Sequence, residues 1–294
     1  MLNGKTIGES YYGLFSNQTP FPVNSVTKSI ISLASGVCVE KGFFKTTDLI
    51  SKYLPEYDSI FASSPQKAKI RVSDLLNQTT GVSWDEWFPN YTYSYNALNK
   101  LKTTKLDWGQ LVLDQAMATD PGVRFNYNSA SLELLKKIIE RTTKTSIDSV
   151  VYKNIFTPLG LKVNSWTKYP NNGLPSWGGI TMQVKDMATL GQAILDSKTG
   201  KSKVLPKNWI DQIFIPKVNA GDDVFYSYLF WHKEIAGHQV IFAAGLGDQY
   251  IYIVPSLDLV FAIAASNYYT TFPVPGPELI LRRIINFVEQ NPKN

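Results

Sequence analysis

Residues 25–40 read SVTKSIISLASGVCVE. Val26, Ile30, Leu33, Ala34 and Val37 recur at helical spacing, which predicts an amphipathic helix with Ser25 and Lys28 in its first turn. Gly42 follows the last turn, where a helix stop belongs. Before this helix, residues 5–12 (KTIGESYY) read as a short strand after an Asn3-Gly4 turn, and a loop runs from there to Asn24. After it come short helical pieces at 46–57 and 73–79, an aromatic loop at 83–96, and helices at 109–117, 129–142 and 184–196. Runs at 224–232, 238–244, 249–254 and 258–265 are aromatic or β-branched and separated by short turns, as in an antiparallel meander. An amphipathic helix from Glu278 to Glu289 closes the pattern. The expected class is therefore α/β of the α+β type, an antiparallel sheet flanked by helices plus a mostly helical lobe. Residues 1–22 and 222–294 are expected to form the sheet lobe and residues 23–221 the helical lobe, with the active site at their interface.

Composition narrows the function. With 294 residues, 44% of them hydrophobic, the chain can bury a large core. The net charge of +5 comes without any basic run carrying interleaved aromatics, so no nucleic-acid partner is expected. The lone cysteine, Cys38, sits between Val37 and Val39 and reads as a buried thiol. Two histidines and no metal-binding spacing argue against a zinc site. There is no run of about 18 apolar residues, so no integral membrane segment is expected. No signal peptide is visible, yet an extracytoplasmic home is slightly favoured. The oligomeric state is left open.

Three constellations carry chemistry. Ser25 and Lys28 form an S-x-x-K, and residues three apart share a helix face, so the amine can reach the hydroxyl. A serine hydroxyl is a weak nucleophile until a base takes its proton, and a lysine serves where burial disfavours its charged form. Free N–H groups at the helix start favour a developing oxyanion. An ordinary Ser N-cap beside a solvent-facing lysine is the plain alternative. Next, Tyr127 lies in FNYNS (125–129) after Pro121-Gly122 and before a helix, a placement that suits a phenol proton relay, or simply a surface turn. Finally, Gly245 and Gly247 punctuate 242-FAAGLGDQYIYIVP-255, where one strand hands over to the next and a substrate can lie close to backbone. A literal K-T-G at Lys198-Thr199-Gly200 has no strand around it and reads as a chance match in a polar turn.

Taken in order, these pieces resemble the serine β-lactamase-related hydrolases: class C β-lactamases, D-alanyl-D-alanine peptidases, esterases and 6-aminohexanoate-oligomer hydrolases. The likeness rests on Asn24-Ser25-Val26-Thr27-Lys28-Ser29, on 74-DLLNQTTG-81, on Pro121-Gly122 through Tyr127 and Ser129, on Gly178-Gly179-Ile180 with Lys185-Asp186-Met187, and on 226-YSYLFW-231. It implies the class C β-lactamase-like fold, Ser25 as acylated nucleophile, Lys28 as its activating partner and Tyr127 as general acid and base. It further implies an oxyanion hole from the N–H groups of Ser25 and Leu246, with Gly245 and Ser129 at the substrate. The substrate class is a small amide, ester or peptide, and no metal or organic cofactor is needed. Two departures stand out. Ser129 takes the Asn position of the family's Y-x-N, and Ala243-Ala244-Gly245 replaces a strand triad that normally carries Lys or His. The missing cation points toward the amidase and esterase branch and away from a β-lactamase or D-alanyl-D-alanine carboxypeptidase. A catalytically silent binding protein of the same fold is the third possibility.

Overall fold

A computed structural model describes residues 1–88, 91–169, 173–268 and 276–291. The short strand β1 (Pro20–Pro22) leads directly into helix α1 (Val26–Glu40). Six helices joined by turns follow: α2 (Asp58–Ser63), α3 (Val72–Asn77), α4 (Ala97–Thr103), α5 (Trp108–Leu113), α6 (Ser131–Thr143) and α7 (Ile147–Val151). Strands β2 (Val163–Trp166) and β3 (Ile180–Gln183) precede helices α8 (Val184–Thr199) and α9 (Lys207–Ile213). The chain then forms β4 (Val218–Gly221), β5 (Val224–Ser227), β6 (Phe230–Ile235), β7 (His238–Gly245), β8 (Gln249–Val254) and β9 (Leu259–Ile263), and ends its described part in α10 (Pro277–Gln290).

Strands β4 to β9 make one antiparallel meander in sequence order, and β1, β3 and β2 make a second, three-stranded sheet in that order. The large sheet is covered on both faces. On one side α10 lays Leu281, Ile285 and Val288 against Val240, Tyr252, Val254 and Leu259. On the other, α8 packs on β8 and β9 so closely that a methyl on Gly191 would come within 2.7 Å of Ile251 and Val260 side chains. Helix α1 is buried from Val26 to Cys38, hence its polar face is not a solvent face but an internal one. Burial of this kind contributes roughly 1.5–3 kcal/mol for each large apolar side chain. Cys38 is buried as expected, and desolvation pushes its thiol up to about 12.

The mixed α/β architecture, with helices against an antiparallel sheet, agrees with the sequence reading. Three local expectations need correction. Residues 5–12 form no strand; Leu2 alone bridges to Leu259, and residues 3–10 are exposed. That stretch has no alternating apolar face, so a sheet would gain nothing from it. The run 224–232 is not one strand but the hairpin β5–β6, because Tyr228 and Leu229 both adopt positive φ (47° and 67°). Tertiary hydrogen bonds hold that turn: the Tyr228 N–H donates to Asn77 Oδ1 (3.1 Å) and the Leu229 N–H to the Leu76 carbonyl (2.9 Å). Lastly, the helix expected at 109–117 stops at Leu113, and Met117 instead bridges to Val82. Among the described residues no helix is long and apolar enough to cross a membrane.

Candidate active site

The small sheet delivers the chain to the site. Val23 donates its N–H to the Ile180 carbonyl (2.9 Å), and Asn24 turns with φ of 49° to start α1. Ser25 therefore sits at the first turn of α1, half-buried, while Lys28 one turn on is buried. The Lys28 Nζ donates to Ser25 Oγ at 2.8 Å and to the Trp177 carbonyl at 3.2 Å. It also lies 4.8 Å from the centre of the Tyr127 ring. Among the described residues no carboxylate lies within ion-pair distance of Lys28. An amine held only by a hydroxyl, a carbonyl and a ring is free to exchange its proton with the hydroxyl rather than being tied to an acid.

The Trp177 carbonyl is itself held in place. Glu133 on α6 accepts from both the N–H and the hydroxyl of Ser176, each at 2.8 Å, and pairs with Lys136. Tyr127 is fixed from the helical side by Gln78, whose positive φ of 57° ends α3. The Gln78 carbonyl accepts the Asn126 N–H (2.8 Å) and its Oε1 accepts the Asn128 N–H (2.6 Å), bracketing the tyrosine. The DLLNQTTG stretch thereby holds the tyrosine segment from both sides. The ring of Tyr127 is stacked between Trp87 (5.5 Å, 25°) and Trp231 (5.8 Å, 28°).

From the opposite side β7 brings Gly245 against the start of α1. A Cβ at Gly245 would overlap the Val23 carbonyl oxygen and stand 3.2 Å from the Ser25 nitrogen. Leu246 follows in the hairpin turn, and its carbonyl accepts from Asn24 Nδ2 at 2.7 Å. Lys28 thus contacts Ser25, Tyr127 packs beside Lys28, and Gly245 and Leu246 meet the Val23–Ser25 turn. Ser129 lies in the wall behind them: it is fully buried, and its hydroxyl donates to Glu86 Oε1 at 2.6 Å. On the Tyr127 side a cavity of about 380 Å³ is lined by Glu86, Trp87, Arg124, Tyr127 and Asn219 among others. The decoy triplet lies elsewhere: Lys198 pairs with Asp211 at 2.8 Å and Gly200 caps α8. Lys233 on β6, which could otherwise supply a cation in place of the one that Ala243 and Ala244 lack, pairs with Glu278 at 2.7 Å.

The chain matches the beta-lactamase family over residues 1–282. It belongs to that family. Its fold is close to a structure from Bacillus anthracis provisionally named a 6-aminohexanoate-dimer hydrolase, with a TM-score of 0.76 and 18% identity over 99% of this chain and 77% of the other. A penicillin-binding protein from Bacillus halodurans superimposes with a TM-score of 0.69 and 19% identity, over 92% of this chain and 87% of that one. A Salmonella agona relative provisionally named a D-alanyl-D-alanine carboxypeptidase is 27% identical over 152 residues, or 51% of this chain and 33% of the relative. The match spans about a third of the length of such curated relatives.

Sequence reasoning found the residues around the serine and missed those that hold them. Glu86 and Trp177 sat in plain view, but no spacing rule links an acid at 86 to a serine at 129. Glu133 carried the better signal: an acid on the apolar helix α6, where a charge needs an internal partner.

Proposed function

We propose that this chain cleaves an amide or ester bond through an acyl-enzyme on Ser25. The observation that carries the reading is the 2.8 Å contact from Lys28 Nζ to Ser25 Oγ, in a site where no carboxylate among the described residues competes for the amine. Lys28 accepts the hydroxyl proton as Oγ attacks the carbonyl carbon. The resulting oxyanion is taken by the N–H groups of Ser25 and Leu246, supported by the packing of Gly245 against the Ser25 nitrogen. Tyr127, with its ring beside the Lys28 ammonium, passes the proton to the departing amine or alcohol. In the second half the same groups deliver water to the acyl carbon and return the proton to Oγ.

We place the substrate among small esters and amides, because Ala243 and Ala244 present no cation on β7. A second reading has its own support. Arg124 lines the cavity beside Tyr127 and forms no ion pair among the described residues, so a carboxylate-bearing substrate, as in a β-lactamase or carboxypeptidase, has a cation within the site's surroundings.

Treatment with a fluorophosphonate, read by intact-mass and peptide mass spectrometry, is expected to give one adduct on Ser25, and Ser25→Ala is expected to abolish ester turnover. An adduct on another serine, or full activity in Ser25→Ala, refutes the assignment of Ser25, and a wild-type protein that neither labels nor turns over any ester leaves a silent binding protein of this fold.

A further inference from the structure

Glu86 is a buried acid with no part in the chemistry above, and it is 2% exposed. Its Oε1 accepts the Ser129 hydroxyl at 2.6 Å. Its Oε2 accepts the Ser129 N–H at 2.7 Å and the Trp84 indole N–H at 3.2 Å. Its backbone carbonyl accepts Asn96 Nδ2 at 2.8 Å. The comparison with Glu133 is instructive. Both acids grip a serine through its N–H and hydroxyl, but Glu133 has Lys136 as counter-charge, whereas Glu86 forms no ion pair among the described residues. The nearest opposite charge it is seen to act on is Lys102, beyond ion-pair distance, and burying an acid without a cation in contact is costly unless several donors satisfy it. Such an arrangement persists where the charged hydrogen bonds hold something that neutral ones hold less firmly.

What Glu86 holds is the surroundings of Tyr127. Ser129 is two residues beyond Tyr127, and Gln78 already grips both neighbours of the tyrosine. Trp87, the residue after Glu86, covers one face of the Tyr127 ring. One carboxylate therefore ties the aromatic loop at 83–96 to the segment that carries the tyrosine. Glu86 also faces Tyr226, whose hydroxyl is held well above its usual range by burial and then by the charges of Tyr127 and Glu86.

We propose that Glu86 is a positioning residue for Tyr127: by accepting hydrogen bonds from both the N–H and the hydroxyl of Ser129 it docks the Trp87 loop on the tyrosine ring and fixes the phenol relative to Ser25 and Lys28. This rests on the proton-transfer role given to Tyr127. Displacing a proton-transfer group by about 1 Å is enough to lower turnover about 100-fold.

The experiment compares wild type, Glu86→Gln, Ser129→Ala and the double variant, using a neutral p-nitrophenyl ester. Each protein is also labelled with a fluorophosphonate and its Tm measured. The expected result for folded Glu86→Gln is a fall in kcat of roughly 10–100-fold with KM within about twofold. Ser129→Ala should lose less, and the double variant should be little worse than Glu86→Gln, as two residues of one clamp act together. The fluorophosphonate adduct should still form on Ser25 in every variant. Unchanged kcat in folded Glu86→Gln overturns the proposal, as do losses that multiply in the double variant or a KM that rises in step with the fall in kcat/KM. If Glu86→Gln does not fold, Ser129→Ala decides: a loss in kcat at constant KM supports the clamp, and wild-type kcat refutes it. Failure of wild type itself to label or turn over would instead refute the Ser25 hydrolase reading.

Discussion

Replacing Gly245 by Ala adds one methyl group where β7 meets the start of α1. The new carbon would overlap the Val23 carbonyl oxygen and stand 3.2 Å from both the Ser25 nitrogen and Gln249 Cβ. Two of those three neighbours are backbone, so no side-chain rotation relieves the overlap. Carbon contacts relax near about 3.5 Å, which means the strand and the Val23–Ser25 turn must separate by on the order of 1 Å. A shift of that size at a reacting group costs about 100-fold in rate, and loss of one oxyanion donor costs about 100–1,000-fold. Overpacking of this kind also destabilises by about 1–3 kcal/mol, which the buried sheet should tolerate. The expected outcome is a folded Gly245→Ala protein with kcat on a neutral ester reduced about 100–1,000-fold. Thermal unfolding must be followed alongside, to separate lost chemistry from lost protein. Gly8→Ala is the control, because no atom lies within 4 Å of a methyl there. A folded Gly245→Ala enzyme with kcat within about threefold of wild type would refute the reasoning, since β7 would then have no close working contact with Ser25.

Three further outcomes are expected. Lys28→Ala should lower kcat/KM by about 100–10,000-fold, whereas Lys198→Ala, which loses only the half-exposed pair with Asp211, should leave turnover unchanged; equal losses would make the K-T-G triplet functional. Matched esters with and without a free carboxylate should differ less than about tenfold in kcat/KM, and a larger preference for the carboxylate that disappears in Arg124→Ala would establish the carboxypeptidase-like reading. His232 is buried, which pulls its imidazole down to about 4, so the folded state holds it neutral. Stability should then be full above pH of about 6.5, fall by up to about 3 kcal/mol as pH drops to about 4 because the unfolded chain protonates first, and level off below. Urea midpoints at two pH values should show this in wild type and lose most of it in His232→Gln; an unchanged pH dependence would locate the effect elsewhere.

Much of this was readable from the residues. The periodicity of 25–40 specifies α1, and spacing alone puts Lys28 within reach of Ser25. The runs at 238–244 and 249–254 became β7 and β8 because β-branched or aromatic residues and the turn residues between them agree there. Long-range order was the part that stayed hidden. Tyr228 and Leu229 lie in an aromatic run that reads as strand, yet their N–H groups donate to Asn77 and Leu76 and make them a hairpin corner. Similarly, Ser129 reads as a residue facing the substrate until Glu86, 43 residues earlier, is seen to take its hydroxyl. Such pairs leave no periodic trace, because each partner sits in an irregular loop whose course is set by the packing of others.

Cys38 has a practical consequence. It is the sole thiol in the sequence, it lies inside α1, and its burial keeps it in the unreactive protonated form. Maleimides and similar reagents should therefore pass over the native protein, with no need to remove the residue first. A single cysteine introduced at an exposed site such as Phe88, on the aromatic loop beside the Tyr127 stack, would be the one accessible attachment point for a dye or spin label. The position of that loop relative to the rest of the protein can then be followed without altering Ser25, Lys28 or Tyr127.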